Sequence, residues 1–221
     1  MEDCNWTQPC HGLWVAFYGM DGAGKTAVID SLCRRISPCF RTIHRFHFRP
    51  RFRRRQRVAP TVTAPHAQPP RGALISMLKL CLWLADAWFG FFASVVPCRM
   101  RSGLTIYDRF LPDLLVDPRR YRLPQASLRF GEMLLRLAPR PHLSILLDAS
   151  AEVVYQRKQE VELGELQRQR EAYLVMFRSL PSGWVVDATG TVEEVSAEVK
   201  SLLLASLPEC SYGTEVHVAR L

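Results

Sequence analysis

Asparagine is almost absent from this 221-residue chain, in which Asn5 is the only example. The motif N-K-x-D, with which GTP-binding proteins read guanine, therefore cannot occur. The motifs H-R-D and D-F-G of protein kinases are absent as well. Both classes are excluded, whereas small-molecule kinases and ATP-driven machines are not.

Lysine is scarce too, because only four of the 29 basic residues are Lys and the other 25 are Arg. The formal net charge is +8. Arginine grips phosphate and carboxylate groups with a planar fork of donors, which suits an anionic ligand. A codon bias towards arginine explains the excess equally well, so composition alone leaves both explanations open.

Cysteine pairs at C-x-x-C spacing are lacking among the seven cysteines, and no Cys/His spacing is typical of zinc. Scattered cysteines of this kind indicate reduced thiols in a cytoplasmic protein. Residues 1–11 are polar and acidic and lack the basic and then apolar pattern of a signal peptide. We expect a flexible N-terminus at 1–11 and a C-terminal tail at 208–221.

One long apolar run, Leu78–Val96, approaches the length that spans a bilayer. Asp86 lies near its middle, where a carboxylate costs on the order of 3 kcal/mol to insert. We therefore interpret the run as a buried helix of a soluble core and expect Asp86 to face a ligand cleft. A membrane-bound regulatory protein is the alternative, and it requires this helix to be exposed to lipid.

Apolar strand-like runs alternate with helical patterns, which predicts an α/β fold with a parallel sheet and helices on both faces. The predicted strands are Leu13–Tyr18, Thr42–Phe48, Leu104–Tyr107, Leu143–Leu147 and Trp184–Val186. The predicted helices are Lys25–Ile36, Ala73–Val95, Gln125–Leu137, Ala151–Leu180 and Val192–Leu207. No repeat or second domain is evident, so residues 12–207 are expected to form one domain.

A basic, proline-rich segment at 49–72 interrupts this alternation with five Pro, and six Arg lie within 49–57. Such a composition predicts an extended arm. We interpret Arg51–Arg57 as a solvated loop or a weak contact for an acidic surface, without specific nucleic-acid binding. Arg49, Arg119 and Arg120 adjoin predicted strand and turn residues, and we expect them to surround an anionic acceptor.

The strongest motif is G-x-x-x-x-G-K-[ST] at residues 19–26, which lies between an apolar strand and a helix. In this setting backbone N–H groups and the helix N-terminus cradle phosphates, which predicts ATP and Mg²⁺ as ligands. Lys25 is expected to reach the outer phosphates and Thr26 to ligate Mg²⁺. The loop residues expected to contact the nucleotide are Gly19, Asp21, Gly22, Ala23 and Gly24.

Two predicted strands end in aspartate, at Asp108 and at Asp148. Ligands of open parallel sheets bind at the carboxyl ends of strands, so either carboxylate suits the Mg²⁺ side of the site. Arg109 follows the first of them and is a candidate for binding phosphate. The spacing of residues does not decide whether Asp108 or Asp148 is the acid on the Mg²⁺ side.

Residues 157–177 combine one apolar helix face with a basic set. A solvated helix surface explains each charge taken singly. Taken together, the residues at 157–170 suggest a lid that closes over ATP and brings arginine to the transferring phosphoryl group. The candidates are Arg157 and Arg168 for catalysis and Arg170 for nucleotide binding.

These segments resemble the thymidylate kinase-like nucleoside monophosphate kinases over most of residues 13–205. The similar stretches are GMDGAGKT, YDRF, PHLSILLDASAEV, RKQE with ELQRQREAY, and VVDATGTVEEV. The resemblance implies a three-layer P-loop kinase fold with a five-stranded parallel sheet in the order 2-3-1-4-5. It assigns the metal-side acid to Asp108, implies that lid arginines serve catalysis, and implies that Asp21 contacts a hydroxyl of the acceptor.

The chain departs from this family where the acceptor is recognised. FHFRPRFRRRQR stands in place of a short R-E-P-G-like segment, and LPDLLVDPRRYRLP in place of a stretch that meets the base. We therefore expect a kinase acting on a nucleoside monophosphate-like or other anionic acceptor, with dTMP open. The alternatives are a kinase of a sugar phosphate or glycan at a membrane surface and a non-catalytic nucleotide-binding regulator. A homodimer is also left open.

Overall fold

Five short stretches of the chain form one parallel sheet in the computed structural model, which describes residues 12–48, 71–159 and 161–207. The strands are β1 (Leu13–Tyr18), β2 (Ile43–His47), β3 (Leu104–Asp108), β4 (Leu143–Asp148) and β5 (Gly183–Asp187). Their order is β2-β3-β1-β4-β5, and every neighbouring pair is parallel. The predicted α/β fold class and strand order are therefore confirmed.

Burial of the strands follows their place in the sheet. All residues of β1 and β3 are buried, and so are all of β4 except its last, whereas the outer strands β2 and β5 are mostly half-buried or exposed. Near-continuous apolar runs are what a strand covered on both faces requires. The register pairs Phe17 with Asp108 and His47 with Asp108, so three strand ends meet at one edge of the sheet.

Eight α-helices surround the sheet in the described part of the chain. They are α1 (Lys25–Ile36), α2 (Ala73–Gly90), α3 (Val96–Met100), α4 (Asp113–Val116), α5 (Leu128–Leu135), α6 (Ala151–Arg157), α7 (Leu163–Arg178) and α8 (Val192–Ala205). The connection from β1 to β2 runs in the opposite direction across the sheet to the later ones. Since such crossovers are right-handed, α1 lies on the other face from α2, α5 and α7. Helix α8 packs against α1, where the Ser31 and Ser196 hydroxyls are 3.0 Å apart.

The long apolar run is helical from Ala73 to Met100, with a π-helical turn at Phe91–Val95 between α2 and α3. By length and composition this helix could cross a membrane, and 33% of its most apolar window is buried within the protein. Trp14 of β1 packs against Phe91 at 5.5 Å between ring centroids, so the turn adjoins the core. The same length and composition occur in core helices of soluble proteins.

The predicted single helix over Ala151–Leu180 is wrong, because the chain leaves the helical conformation after Arg157 and α7 begins at Leu163. Lys158 is extended there, with φ −155° and ψ 103°. Val161 is the one apolar residue of 158–162, so little apolar surface holds this stretch helical. Residues 49–70, 1–11 and 208–221, including the predicted arm, leader and tail, lie outside the described residues.

Candidate active site

The glycine-rich loop after β1 depends on backbone conformations that favour glycine. Gly19, Gly22 and Gly24 have φ values of 138°, 99° and 83°. A Cβ atom on Gly19 would lie 2.6 Å from the carbonyl oxygen of Leu147, so no side chain fits there. The loop therefore folds tightly over the end of β4 and enters α1 at Gly24.

Lys25 opens α1 and turns back over the loop. Its ammonium group donates to the carbonyl oxygens of Gly19 and Met20, both at 2.7 Å. Burial, followed by the positive charge of Arg109, lowers the pKa of Lys25 from 10.5 to about 7. Thr26 is exposed in the first turn, where α1 has no acidic residue to neutralise its N-terminal partial charge. This end of α1 therefore suits phosphate.

Asp21 in the loop pairs with two arginines from distant parts of the chain. Its two carboxylate oxygens accept hydrogen bonds from Arg109 and Arg120. Lys25 Nζ lies 4.0 Å from the same carboxylate. Although burial acts in the opposite direction, the charges of Arg109, Lys25 and Arg120 hold the pKa of Asp21 well below its usual range. Asp21 is thus a carboxylate anion at the centre of three cations.

Arg109 occupies the turn directly after β3 in the left-handed conformation, with φ 70°. Its side chain is buried, and Nη1 donates to both carboxylate oxygens of Asp113 at 2.8 Å. Burial alone would lower the pKa of Arg109, but the charge of Asp113 raises it well above its usual value. The guanidinium is therefore a fixed positive charge beside the loop.

Sequence reasoning missed Asp113, which holds this arginine in place. Asp113 is fully buried at the start of α4 and also accepts hydrogen bonds from the hydroxyls of Tyr121, at 2.8 Å, and Tyr173. The i, i+4 spacing from Arg109 was the one local signal. The tyrosines come from a loop and from α7, so their approach is visible only in the fold.

Asp108 ends β3 with its side chain almost fully buried. His47 Nδ1 lies 3.3 Å from Asp108 Oδ2, and Arg45 Nη2 lies 3.9 Å from the same oxygen. Burial works against ionisation, yet the hydrogen bond and charge of His47 lower the pKa of Asp108 overall. Asp108 Oδ1 is buried and has no hydrogen-bond partner among the described residues.

An ionised carboxylate with one oxygen left over is chemically suited to Mg²⁺, directly or through a water ligand. Magnesium commonly takes one or two protein oxygens together with substrate phosphates. Asp108 and the exposed hydroxyl of Thr26 fit this pattern. Within the described residues, no group of three or more His, Cys, Asp and Glu is placed to hold a metal ion.

The lid arginines point in three different directions. Arg168 donates to Glu165 at 2.6 Å and to the carbonyl oxygen of Val116 at 3.0 Å. Arg170 forms two hydrogen bonds with Asp148, at 2.8 and 2.7 Å. Arg157 is exposed at the end of α6. The structure therefore does not bring the three together, and it pairs the second candidate metal acid, Asp148, with an arginine.

The segment predicted as a lid nevertheless adjoins the phosphate loop. A Cβ atom on Gly22 would lie 3.2 Å from Val154 Cγ1 in α6 and 3.4 Å from Lys158 Cβ. The non-helical connection between α6 and α7 thus begins directly over the tip of the loop. Ala23, also predicted in the loop, is buried beneath it.

The remaining predicted acceptor residues divide into near and remote ones. Asp86 is half-buried in α2, where its charge acts on Tyr107 beside Asp108. Arg119 is exposed, with Nη1 3.7 Å from Glu165, so it lies on the lid side. Arg49 lies outside the described residues. A cluster of rings lines the space between β2 and α2, with Phe48 stacked on Tyr121 at 5.1 Å and Trp83 against both.

The sheet has the strand order 2-3-1-4-5. A glycine loop ending in Lys25 connects β1 to α1, and the neighbouring strand β3 ends in Asp108. These features together define the P-loop kinase fold. Comparison with known proteins leads to a narrower group, although no protein-family model matches the chain.

Three curated relatives illustrate the similarity. The thymidylate kinase of Xylella fastidiosa (strain M12) is 27% identical over 208 residues, covering 90% of this chain and 89% of the relative. That of Xanthomonas campestris pv. campestris (strain B100) is 25% identical over 204 residues, covering 90% and 86%. That of Symbiobacterium thermophilum is 32% identical over 125 residues, covering 52% and 58%. The chain is thus similar to thymidylate kinases over about 90% of its length, at 25–27% identity.

Proposed function

We propose that this protein is a cytoplasmic, ATP- and Mg²⁺-dependent phosphotransferase that acts on a small anionic acceptor. The observation that carries this proposal is the cluster around Asp21. It joins a phosphate-loop carboxylate to Arg109 and Arg120 within reach of Lys25. Such a cluster would give the molecule that receives the phosphoryl group two cations and one carboxylate to bind. These groups lie beside the place where a nucleotide's outer phosphates would lie.

The donor side of the reaction rests on the loop and α1. Backbone N–H groups of the loop and Lys25 would bind the outer phosphates, with Lys25 exchanging its bonds to the Gly19 and Met20 carbonyl oxygens for phosphate oxygens. A bound phosphate would also favour the protonated form of Lys25, whose pKa is lowered to about 7 by burial and Arg109. Thr26 and Asp108 would hold Mg²⁺, which neutralises charge on those phosphates.

The acceptor side is held by Asp21, Arg109 and Arg120. Arg109 is fixed by Asp113, so it would position an acceptor anion in one place. Arg120 is a quarter exposed and comes from the segment that departs from the family pattern. Asp21 would accept a hydrogen bond from an acceptor hydroxyl. Asp86 and the aromatic cluster formed by Phe48, Trp83 and Tyr121 would close the far side.

The reaction itself is an in-line transfer. A bond forms between an acceptor oxygen and the γ-phosphorus, and the bond from that phosphorus to the β,γ-bridging oxygen breaks, so that ADP leaves with the bonding electron pair. Lys25 and an arginine of the lid would stabilise the charge on the transferring group. Arg168 and Arg170 have partners at or near the surface, which they can leave when the lid closes.

The proposal can be tested by measuring ADP formation from ATP by the purified protein, with Mg²⁺ and a panel of acceptors. The panel contains dTMP, the other nucleoside monophosphates and several sugar phosphates. Turnover with one acceptor, lost in Arg120→Met but retained in Arg35→Met on the exposed side of α1, is the expected result. Turnover with dTMP would identify a thymidylate pocket built differently from that of the family.

Two other functions remain to be separated by the same assay. ATP binding without turnover on any acceptor would favour a nucleotide-dependent regulator. Turnover on a sugar phosphate alone would favour a kinase of glycan precursors. The choice between nucleotide and sugar acceptors rests on Arg120 and its neighbours, because these replace the stretch that meets the base in the resembling family.

A further inference from the structure

A cavity of about 260 Å³ lies between α5 and α7, and the proposed reaction does not use it. Its exposed lining residues belong to the turns that lead from α5 into β4 and from α7 into β5. Helices that precede parallel strands end at the edge of the sheet where those strands begin. The phosphate loop follows the end of β1, so the cavity opens at the opposite edge of the sheet from the candidate active site.

The walls of the cavity are mainly apolar. Leu135 and Ala138 come from the α5 side, Met176 and Leu180 come from the α7 side, and all four are half-buried. Apolar side chains that face a cavity lack contact partners on that side. A ligand with an apolar body would supply these contacts, and the apolar surface that it removes from water would contribute most of its affinity.

The volume of the cavity limits the size of such a ligand. A cavity of about 150 Å³ admits a benzene ring, and drug-sized ligands occupy roughly 300–1,000 Å³. The volume of about 260 Å³ lies between these values and suits two fused rings or an acyl chain of similar size. Ordered water molecules need about two to four polar partners each, and the apolar walls supply few.

The charged residues that line the cavity are Arg136, Arg140 and Glu132, which together carry one net positive charge. All three are exposed, and none of them forms an ion pair with another described residue. The two guanidinium groups can therefore bind an anion without giving up an existing carboxylate partner. The rim of the cavity thus favours an anionic head group over a cationic one.

Tyr18 and Ser144 form the inner end of the cavity, where both side chains are buried. The hydroxyl of Tyr18 has no hydrogen-bond partner at ordinary distance among the described residues. Burial, followed by the charge of Asp113, raises the pKa of Tyr18 well above its usual value, and Ser144 acts against them. Buried hydroxyls without a partner are rare in folded proteins, so this one marks a place where a ligand atom or a water is expected.

We propose that the cavity between α5 and α7 binds a small amphipathic carboxylate. Its apolar body, about the size of two rings, lies between the helices, and its carboxylate pairs with Arg136 and Arg140.

Isothermal titration calorimetry of the full chain with 2-naphthoate tests this proposal and requires no turnover. We expect one molecule to bind per chain with a Kd on the order of 0.1 mM. The neutral 2-naphthylmethanol has the same rings and should bind about 5–10-fold more weakly, because the charge-assisted hydrogen bonds to the arginines are lost.

Two sets of variants locate the binding. Replacing both arginines, as Arg136→Met with Arg140→Met, should weaken 2-naphthoate binding about 5–10-fold and remove the difference between the two probes. Arg178→Met is the matched control, since Arg178 is exposed on α7 but does not line the cavity. Ala138→Phe should fill the cavity and abolish binding, and Ala197→Phe on α8 is its control. Met176→Trp is a second filling variant, and cooperative thermal unfolding shows which variants fold.

Three results would overturn the proposal. Absence of binding at about 10 mM 2-naphthoate would show that the cavity holds only water. Unchanged binding in the folded filling variants would place the ligand on another apolar surface, such as the exposed residues of α2. Equal affinities for 2-naphthoate and 2-naphthylmethanol would show that the arginines do not recognise a carboxylate.

Discussion

Two sets of arginines in this protein differ in what holds them. Arg109 is buried and bonded to the fully buried Asp113, whereas Arg168 and Arg170 are about 40% exposed in their pairs with Glu165 and Asp148. Exposed pairs are typically worth up to about 1 kcal/mol, while breaking a buried pair costs about 3–5 kcal/mol. The first arginine is therefore part of the framework, and we propose that the other two exchange partners when the predicted lid closes.

A second group of charges surrounds the carboxylate of Asp21 in the phosphate loop. Asp21 offsets part of the repulsion among Arg109, Arg120 and Lys25 at the sheet edge, although burial and the charge of Arg109 still lower the pKa of Lys25. An anionic acceptor would share these cations with Asp21. The pairs that Arg168 and Arg170 form with Glu165 and Asp148 are less buried than this network.

The largest expected effect is a loss of turnover when Lys25 of the phosphate loop is replaced. Lys25→Ala should lower turnover at least about 1,000-fold, because the charge nearest the outer phosphates is lost. Thermal unfolding of the variant should stay cooperative. Lys200→Ala on α8 is the control and should keep full turnover. An active Lys25→Ala protein would show that the loop does not bind the reacting phosphates.

Asp113→Ala tests the buried network directly. Removing this carboxylate leaves Arg109 as an uncompensated buried charge, so the free energy of unfolding should fall by about 3–5 kcal/mol. Urea denaturation measures the change, and the expected fall in the melting temperature is about 10 °C. Asp30→Ala, which breaks the exposed pair with Arg45, should cost no more than about 1 kcal/mol. Equal losses of unfolding free energy in Asp113→Ala and Asp30→Ala would show that the buried pair of Arg109 is no stronger than an exposed pair.

Arg168→Met and Arg170→Met test the lid side. One of these variants should lower kcat about 100-fold with little change in the KM for the acceptor, because it removes charge stabilisation in the transition state only. Both should change the free energy of unfolding by less than about 1 kcal/mol. Unchanged kcat in both, and in Arg157→Met, would show that these arginines form only a solvated surface.

The smallest expected effect is a pH dependence of stability. Burial and Arg109 lower the pKa of Lys25 from 10.5 to about 7, so between these values the unfolded chain binds more protons than the folded one. The free energy of unfolding should therefore rise with pH in this window. Lys25→Met should lack that part of the rise in urea denaturation at pH 7 and pH 9. An identical slope in both proteins would show that Lys25 keeps an ordinary pKa.

Local pattern was sufficient for the elements around the phosphate loop. The strand Leu13–Tyr18 and the helix Lys25–Ile36 have their predicted bounds, because a continuous apolar run, three glycines and an amphipathic helix specify each other over a short stretch. The helix pattern over Ala151–Leu180 misled, because a short stretch with little apolar surface interrupts it after Arg157. Lys158 lies over Gly22 of the phosphate loop, a contact between residues far apart in the sequence.

The candidate site likewise contains residues that the sequence predicts and partners that only the fold brings together. Motif and strand pattern were enough to predict that Lys25, Thr26 and a strand-end aspartate lie at one edge of the sheet, and the family resemblance selected Asp108 over Asp148. The partners of those residues could not be predicted. Asp113 gave only a weak i, i+4 signal, and Tyr173 joins it from 60 residues further along the chain.

The sequence by itself determined the phosphate loop, the parallel sheet and the similarity to thymidylate kinases, because each depends on glycine conformation, apolar periodicity or motif spacing. Tertiary structure decided which arginines are buried and which are partly exposed, since the packing of distant segments sets that difference. It also decided that α2 exposes an apolar face to solvent while Leu80, Trp83 and Ala87 face the core. Periodicity gives the length of a helix, but only packing against the sheet fixes which side faces out.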